Sequence, residues 1–317
     1  MNQTVKELHE KRMKLWAASI SNHGKYIDTA SGLFKDEFVE FRTCPVCYED
    51  QYIDIFYKEG GTYVKCLKCS MVYLNPVFTD DALRDYYEKN HSVQAQIVES
   101  GDPFYEDLYN QGLSMIEKIC LPGKLLDVGC SSGVFLDVSK KRNWETCGIE
   151  LNVQEFHMAK KNHAVHNDLL ENIKFDTRFD AITLWDVFEH IKAGEFYLNT
   201  MKNLLSEQGV IFLQIPSSDA LAARVLQEKC NMFDGLEHVN LYGVNTIKLL
   251  AHKCNLAVLE IKSVISEIGV MNNYFDYEDP YLGNTDNKTE LFNLIGEKKL
   301  NETLLGYKLQ VVLGRIK

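Results

Sequence analysis

At roughly 150 residues per domain, 317 residues give a prior of two domains; 45% hydrophobic and 25% charged residues are ordinary for a globular chain and exclude a collagenous or disordered one. Lys and Arg number 34 against 45 Asp and Glu, a net charge of −11, which counts against a nucleic-acid partner, because such partners are met by a basic footprint. Apolar runs such as GVIFLQI (209–215) fall well short of the roughly 18 residues a membrane span needs. The opening MNQTVKELHEKRMK lacks the apolar stretch of a signal peptide. Nine cysteines, an odd number in a chain too long for a disulfide mini-scaffold, indicate reduced thiols and a cytoplasmic setting.

In chain order, Val5, Leu8, Leu15, Trp16 and Ile20 fall at helical spacing within 3–21. That pattern predicts an amphipathic helix packed on its own protein, with a homodimer contact as the alternative. Four cysteines follow between short β-like pieces (QYIDIFY, TYVKC, MVYLNP). TDDALRDYYEKN (79–90) opens with a Thr cap and an acidic first turn and predicts a helix, as does EDLYNQGLSMIEKIC (106–120). From 123 the rhythm alternates. Strands are expected at 124–128, 145–150, 179–185, 209–216, 256–264 and 307–316, with helices at 134–142, 153–162, 194–205 and 244–254. Such alternation predicts an α/β fold with a parallel sheet covered on both faces. The organisation expected is an N-terminal helical extension (1–41), a four-cysteine unit (42–76), a helical linker (77–122) and the α/β domain (123–317). Residues 265–303 form a loop excursion with a helix near 288–299.

LLDVGCSSGVF (125–135) places an acidic residue and two glycines between a strand and a helix. Glycine permits a sharp turn and close approach of a ligand, and the helix N-terminus offers unpaired N–H groups. A dinucleotide fingerprint would want Gly at 129, 131 and 134, but 131 is Ser and 134 is Val. Asp127 beside the turn repels a pyrophosphate and suits a ligand with a cationic amino-acid end.

DVGCSSG resembles the cofactor motif of class I S-adenosylmethionine-dependent methyltransferases, with Ser131 in place of the commoner middle Gly. GIE (148–150), HNDL (166–169), FDAITLWDVFEHI (179–191), GVIFLQIPS and EHVNLY (237–242) resemble that family's later segments in the same order, so the resemblance covers about 120–317. It implies a Rossmann-like sheet and S-adenosyl-L-methionine bound by Asp127, Gly129, Cys130, Ser131 and Gly133 of the first turn. Glu150 and Leu151 would serve the ribose, Asp168 the adenine amino group, and Trp185 would stack nearby. A loop-entry role for Asp127 and Glu150, a helix cap for Asp168 and a core tryptophan are the plainer readings.

CPVC (44–47) and CLKC (66–69) are separated by 18 residues, the spacing of a four-cysteine zinc site. Cys44, Cys47, Cys66 and Cys69 would fill a zinc tetrahedron and leave no position for water, which makes the metal structural. Redox dithiols are the rival reading. Cys120, Cys130, Cys147, Cys230 and Cys254 read as small buried apolar residues. The segment also resembles a zinc ribbon ahead of the methyltransferase domain in bacterial enzymes of sugar, polysaccharide and secondary-metabolite pathways. The ribbon is expected to act as a lid or docking wall for a small or glycan-related acceptor.

A hydroxyl or amine acceptor loses a proton on methylation, and histidine is the side chain best suited to take it. Two histidines fall in loops after strands. His190 follows Glu189, a pair that could instead hold a divalent metal as in quinone-type relatives. His238 follows Glu237, and that pair resembles the acid/base pair of sugar C-methyltransferases. Those enzymes carry Tyr two residues before the Glu; here Gly235 stands there, which argues against C-methylation and leaves O-methylation first. A structural histidine is the plainer reading of each. The alternatives are a zinc-ribbon RNA methyltransferase, revealed by steep salt dependence, and a catalytically silent scaffold of the same fold.

Overall fold

A computed structural model describes residues 24–86, 103–274, 280–283 and 296–316. The helix expected over 3–21 and much of the 265–303 excursion lie outside the described residues. Among them run thirteen strands: β1 (Val39–Glu40), β2 (Tyr52–Lys58), β3 (Gly61–Cys66), β4 (Val72–Leu74), β5 (Val77–Phe78), β6 (Lys124–Val128), β7 (Glu145–Ile149), β8 (Ala164–His166), β9 (Phe179–Trp185), β10 (Leu205–Pro216), β11 (Asn240–Leu241), β12 (Leu256–Val264) and β13 (Lys308–Arg315). Helices fall where the apolar periodicity places them, at Pro103–Glu117, Val134–Lys141, Val153–Ala159, Gly194–Leu204 and Val244–Lys253. A further helix occupies 80–86; Thr79 Oγ1 caps it by accepting from the Ala82 N–H at 3.3 Å. No helix among the described residues is long and apolar enough to cross a membrane.

The chain divides into two compact units. Residues up to 97, 216–246 and 262–309 make the first, and 98–215, 247–261 and 310–317 the second.

The second unit is built on a seven-stranded sheet ordered β12-β13-β10-β9-β6-β7-β8. β8, β7, β6, β9 and β10 pair in parallel along that row, and helices flank the sheet, so the fold is α/β with a Rossmann-like arrangement. The chain runs outward from β6 to β8 and then returns to β9 on the other side of β6. That reversal opens a crevice at the carboxyl ends of β6 and β9, the place where open α/β sheets bind ligands. Leu125, Ala181, Phe212 and Val312 from four strands pack with Leu113 and Ile116 of one helix and Phe135 of another. Each of the larger of these buried side chains contributes about 1.5–3 kcal/mol.

The first unit holds a four-stranded sheet ordered β11-β4-β3-β2, antiparallel throughout. Its core joins Tyr63, Leu74 and Leu241 of the sheet to Leu226, Phe233 and Met271. A smaller cluster gathers Tyr26, Phe34, Phe78 and Tyr86.

Candidate functional site

In the second unit the turn after β6 carries three left-handed residues, Gly129 (φ 79°), Ser131 (φ 49°) and Gly133 (φ 92°). A Cβ on Gly129 would lie 2.5 Å from Val187 Cγ2, and one on Gly133 3.1 Å from His163 Cδ2. Both positions therefore favour glycine on conformation, and Gly129 on space as well. Ser131 accepts the left-handed geometry at a cost of about 1–2 kcal/mol, which is why glycine is the commoner residue there.

Asp127, at 2% exposure, sits at the end of β6 and accepts a 2.6 Å hydrogen bond from the Thr183 hydroxyl of β9. Burial pushes its carboxyl up to about 7, with Glu150 adding to the rise and Thr183 opposing it. Glu150 is buried at the end of β7. It accepts from the Ser131 N–H at 2.8 Å and the Asn152 N–H at 2.7 Å, so one carboxylate ties the first turn to the second. Cys130 is buried, its sulfur lying where a side chain on Gly148 would need to go. Leu151 is half exposed beside Glu150. Asp168 is exposed, and its Oδ1 accepts from the Leu169 N–H and from Asn172 Nδ2; the turn Leu170–Asn172 that follows has Leu169 at its N-cap and no side-chain cap. Trp185 packs among Tyr109, Phe135 and Phe212 with ring centroids 4.6–4.9 Å apart. Its buried Nε1 has no hydrogen-bond partner among the described residues.

These groups fit an adenosine bearing an amino-acid chain. The glycine turn lets a ligand reach the backbone, Glu150 places a carboxylate, the group that can accept from two vicinal hydroxyls, beside it, and Asp127 offers a buried carboxyl to a cation.

After Trp185, Asp186 adopts φ 54°; its N–H donates to the Gln214 carbonyl and its Oδ2 accepts from Gln214 Nε2 at 3.1 Å. Gln310 Nε2 donates in turn to Gln214 Oε1 at 3.0 Å. The single turn Phe188–His190 follows, with Glu189 buried and His190 partly so.

In the first unit the sulfurs of Cys44, Cys47, Cys66 and Cys69 all lie within 4.8 Å of one another. The Cys44–Cys69 and Cys47–Cys66 separations are both 3.5 Å. Zinc–sulfur bonds of about 2.3 Å imply tetrahedral edges of about 3.8 Å, so the cluster fits a four-thiolate metal. The two knuckles share one geometry, with left-handed Tyr48 (φ 61°) and Ser70 (φ 63°) directly after the second cysteine of each.

Glu237 and His238 also belong to the first unit. His238 Nδ1 donates to the Met232 carbonyl at 2.7 Å, a carbonyl being able only to accept. Asp234 accepts from the N–H groups of Leu236, Glu237 and His238. Burial raises the Glu237 carboxyl, and Asp234 adds to that rise. Gly235 (φ 80°) could carry no side chain, since a Cβ there would lie 2.0 Å from the Lys58 carbonyl.

Three participants escaped sequence reading: Thr183, Tyr109 and Arg42. The Arg42 guanidinium donates to the carbonyls of Leu74 and Val239 and to Asn240 Oδ1. Of the five remaining cysteines, Cys130, Cys230 and Cys254 are buried as expected, whereas Cys120 and Cys147 are only partly so.

Residues 104–261 match the family described as methyltransferase domain. Ubiquinone biosynthesis O-methyltransferase of Haemophilus ducreyi is 27% identical over 104 residues, covering 28% of this chain and 44% of that one. The enzyme of the same name from Pelagibacter ubique is 28% identical over 98 residues, covering 28% and 40%. The chain thus spans less than half the length of these relatives. The plantazolicin methyltransferase BpumL, solved in complex with SAH, aligns over 74% of this chain and 92% of its own at 17% identity and a TM-score of 0.50, a likeness of fold. The Gly129–Gly133 turn, Asp127 and Glu150 all lie inside the stretch that matches the methyltransferase domain.

Proposed function

We propose that this chain moves a methyl group from S-adenosylmethionine to a hydroxyl of a small or glycan-related acceptor. The observation that carries this is the first turn itself. Two left-handed glycines stand between a buried Asp127 and a Glu150 that reaches back to the turn. The curated relatives, both named as O-methyltransferases, support oxygen as the acceptor atom. Gly235, which has no room for a tyrosine, supports it against carbon.

The bound sulfonium supplies an activated methyl carbon, and the sulfur–carbon bond breaks as the oxygen–carbon bond forms. The protein's part is alignment and exclusion of water, with Glu150 orienting the ribose and Asp127 the amino-acid end. The acceptor's hydroxyl proton goes to a histidine, with His238, whose Nδ1 is held by the Met232 carbonyl, and His190 as the candidates. The four cysteines hold a structural zinc. The net charge of −11 favours a small acceptor over RNA.

Calorimetric titration of the full chain with S-adenosylmethionine and, separately, with NAD tests the reading. Micromolar binding of the first alone supports it. Binding of NAD alone, or of neither, refutes it.

A further inference from the structure

The 232–241 loop is held by the cysteine sheet through a set of bonds whose position suggests a use. The Tyr63 hydroxyl of β3, three residues before Cys66, accepts from the N–H groups of Asp234 and Gly235 and donates to the His238 carbonyl, each at 3.2 Å. Tyr63 is fully buried, between Phe56 and Phe233. The Leu74 N–H of β4 donates to the Val239 carbonyl at 3.0 Å. Arg42, two residues before Cys44, adds bonds to the same carbonyl at 2.7 Å and to Asn240 Oδ1 at 3.0 Å. β11 then pairs with β4. Gly235 also packs against Lys58 and Gly61, at the paired ends of β2 and β3, where neither glycine has room for a Cβ.

These polar anchors of the loop start within three residues of a cysteine or on the strand that follows the second knuckle. The loop carries Glu237 and His238 at its centre. Bringing four thiolates to one metal fixes the spacing between the segment of Arg42 and the strand of Tyr63, and those two side chains grip the loop from either end.

We propose that the four-cysteine metal centre acts as the anchor that positions the Glu237–His238 pair, with Tyr63 and Arg42 as the positioning residues that transmit it. This rests on the zinc reading and on the proposed role of His238. It gives the ribbon a task different from that of a lid or a docking wall: metal loss acts on the orientation and tautomer of His238 and leaves the cofactor turn of the other unit intact.

Hydrogen exchange of the full chain, with zinc measured on the same samples, tests it. Removing zinc with a chelator should speed exchange across 232–241 while 124–128 stays protected. Tyr63→Phe, which keeps the ring in its packing, should retain zinc and S-adenosylmethionine binding yet speed exchange of the Asp234 and Gly235 amides by about fivefold or more, the loss of a hydrogen bond of ordinary strength. The His238 ring nitrogens, read by nitrogen NMR, should shift away from the single Nδ1–H tautomer in that variant. Faster exchange confined to the knuckles, with 232–241 unchanged, overturns the proposal. If chelation exposes 124–128 as well, the Tyr63→Phe result decides: unchanged amides and an unchanged tautomer overturn it. A wild-type chain that takes up no zinc refutes the metal reading instead, while S-adenosylmethionine binding on its own tests the transferase reading.

Discussion

Asp127 gives the sharpest prediction, because a carboxyl buried without a cation and the same carboxyl beside one titrate in different ranges. With its carboxyl raised from 3.8 to about 7, Asp127 is about nine-tenths protonated at pH 6, half at pH 7 and one-tenth at pH 8. A ligand ammonium brought against it returns the group to the ordinary range of about 4. Binding of S-adenosylmethionine should therefore release about 0.9 proton at pH 6, about 0.5 at pH 7 and about 0.1 at pH 8. Affinity should tighten up to about tenfold per pH unit between pH 5 and 7 as the prior cost of deprotonation falls away. The full shift of about 3 units corresponds to about 4 kcal/mol. The ligand-free protein shows the same linkage in its stability. Its native state binds the Asp127 proton more tightly than the unfolded chain does, so this contribution is fully present below pH 4 and is lost as pH rises through about 7. Titrations in two buffers of different ionisation enthalpy read the proton count directly. A buffer-independent enthalpy at pH 6, or the same proton release from Asp127→Asn, would refute the reasoning.

Glu150→Ala removes the acceptor shared by Ser131 and Asn152 and should weaken S-adenosylmethionine binding by about 1–3 kcal/mol, the usual effect of losing a charged hydrogen-bond partner; unchanged affinity takes Glu150 out of the site. Elemental analysis should find one zinc per chain, lost together with Cys44 or Cys69 on substitution by Ser, and a folded metal-free wild type would refute the centre. Gly235→Ala combines a left-handed backbone with a Cβ 2.0 Å from the Lys58 carbonyl and should destabilise the first unit by about 2 kcal/mol or more in denaturant melts. Wild-type stability in that variant would mean the hairpin at Lys58 does not pass where it is placed.

Much of the second unit was legible because its signals are local. Strands 124–128 and 179–185 announced themselves as apolar runs stopped by turn residues, and the glycine turn between Asp127 and the helix at 134 follows from residue type alone. The Asp127–Thr183 bond was not legible, since 56 positions separate a hydroxyl that every strand tolerates from its partner. β11 was hidden for a different reason: two residues, Asn240 and Leu241, are too few for any period to show. Arg42 misled, because composition counts a cation without saying whether it faces water or backbone carbonyls. The cysteine pairing was readable in spacing, whereas its connection to the Glu237–His238 loop depends on a tyrosine hydroxyl about 170 positions upstream of its partners.

The interleaving of the two units along the chain also sets an order of assembly. β11 and the loop that the knuckles hold are made about 170 residues after Cys69, roughly ten to thirty seconds later at 5–20 residues per second. Through that interval β4 presents an open hydrogen-bonding edge, and β6 to β10 are synthesised before the first sheet can close. A metal seated at the start would hold β3 and the knuckles in register while the chain waits for its last strand. The same connectivity means that the cysteine unit cannot be transplanted as residues 42–76 alone, for its fourth strand travels with 216–246.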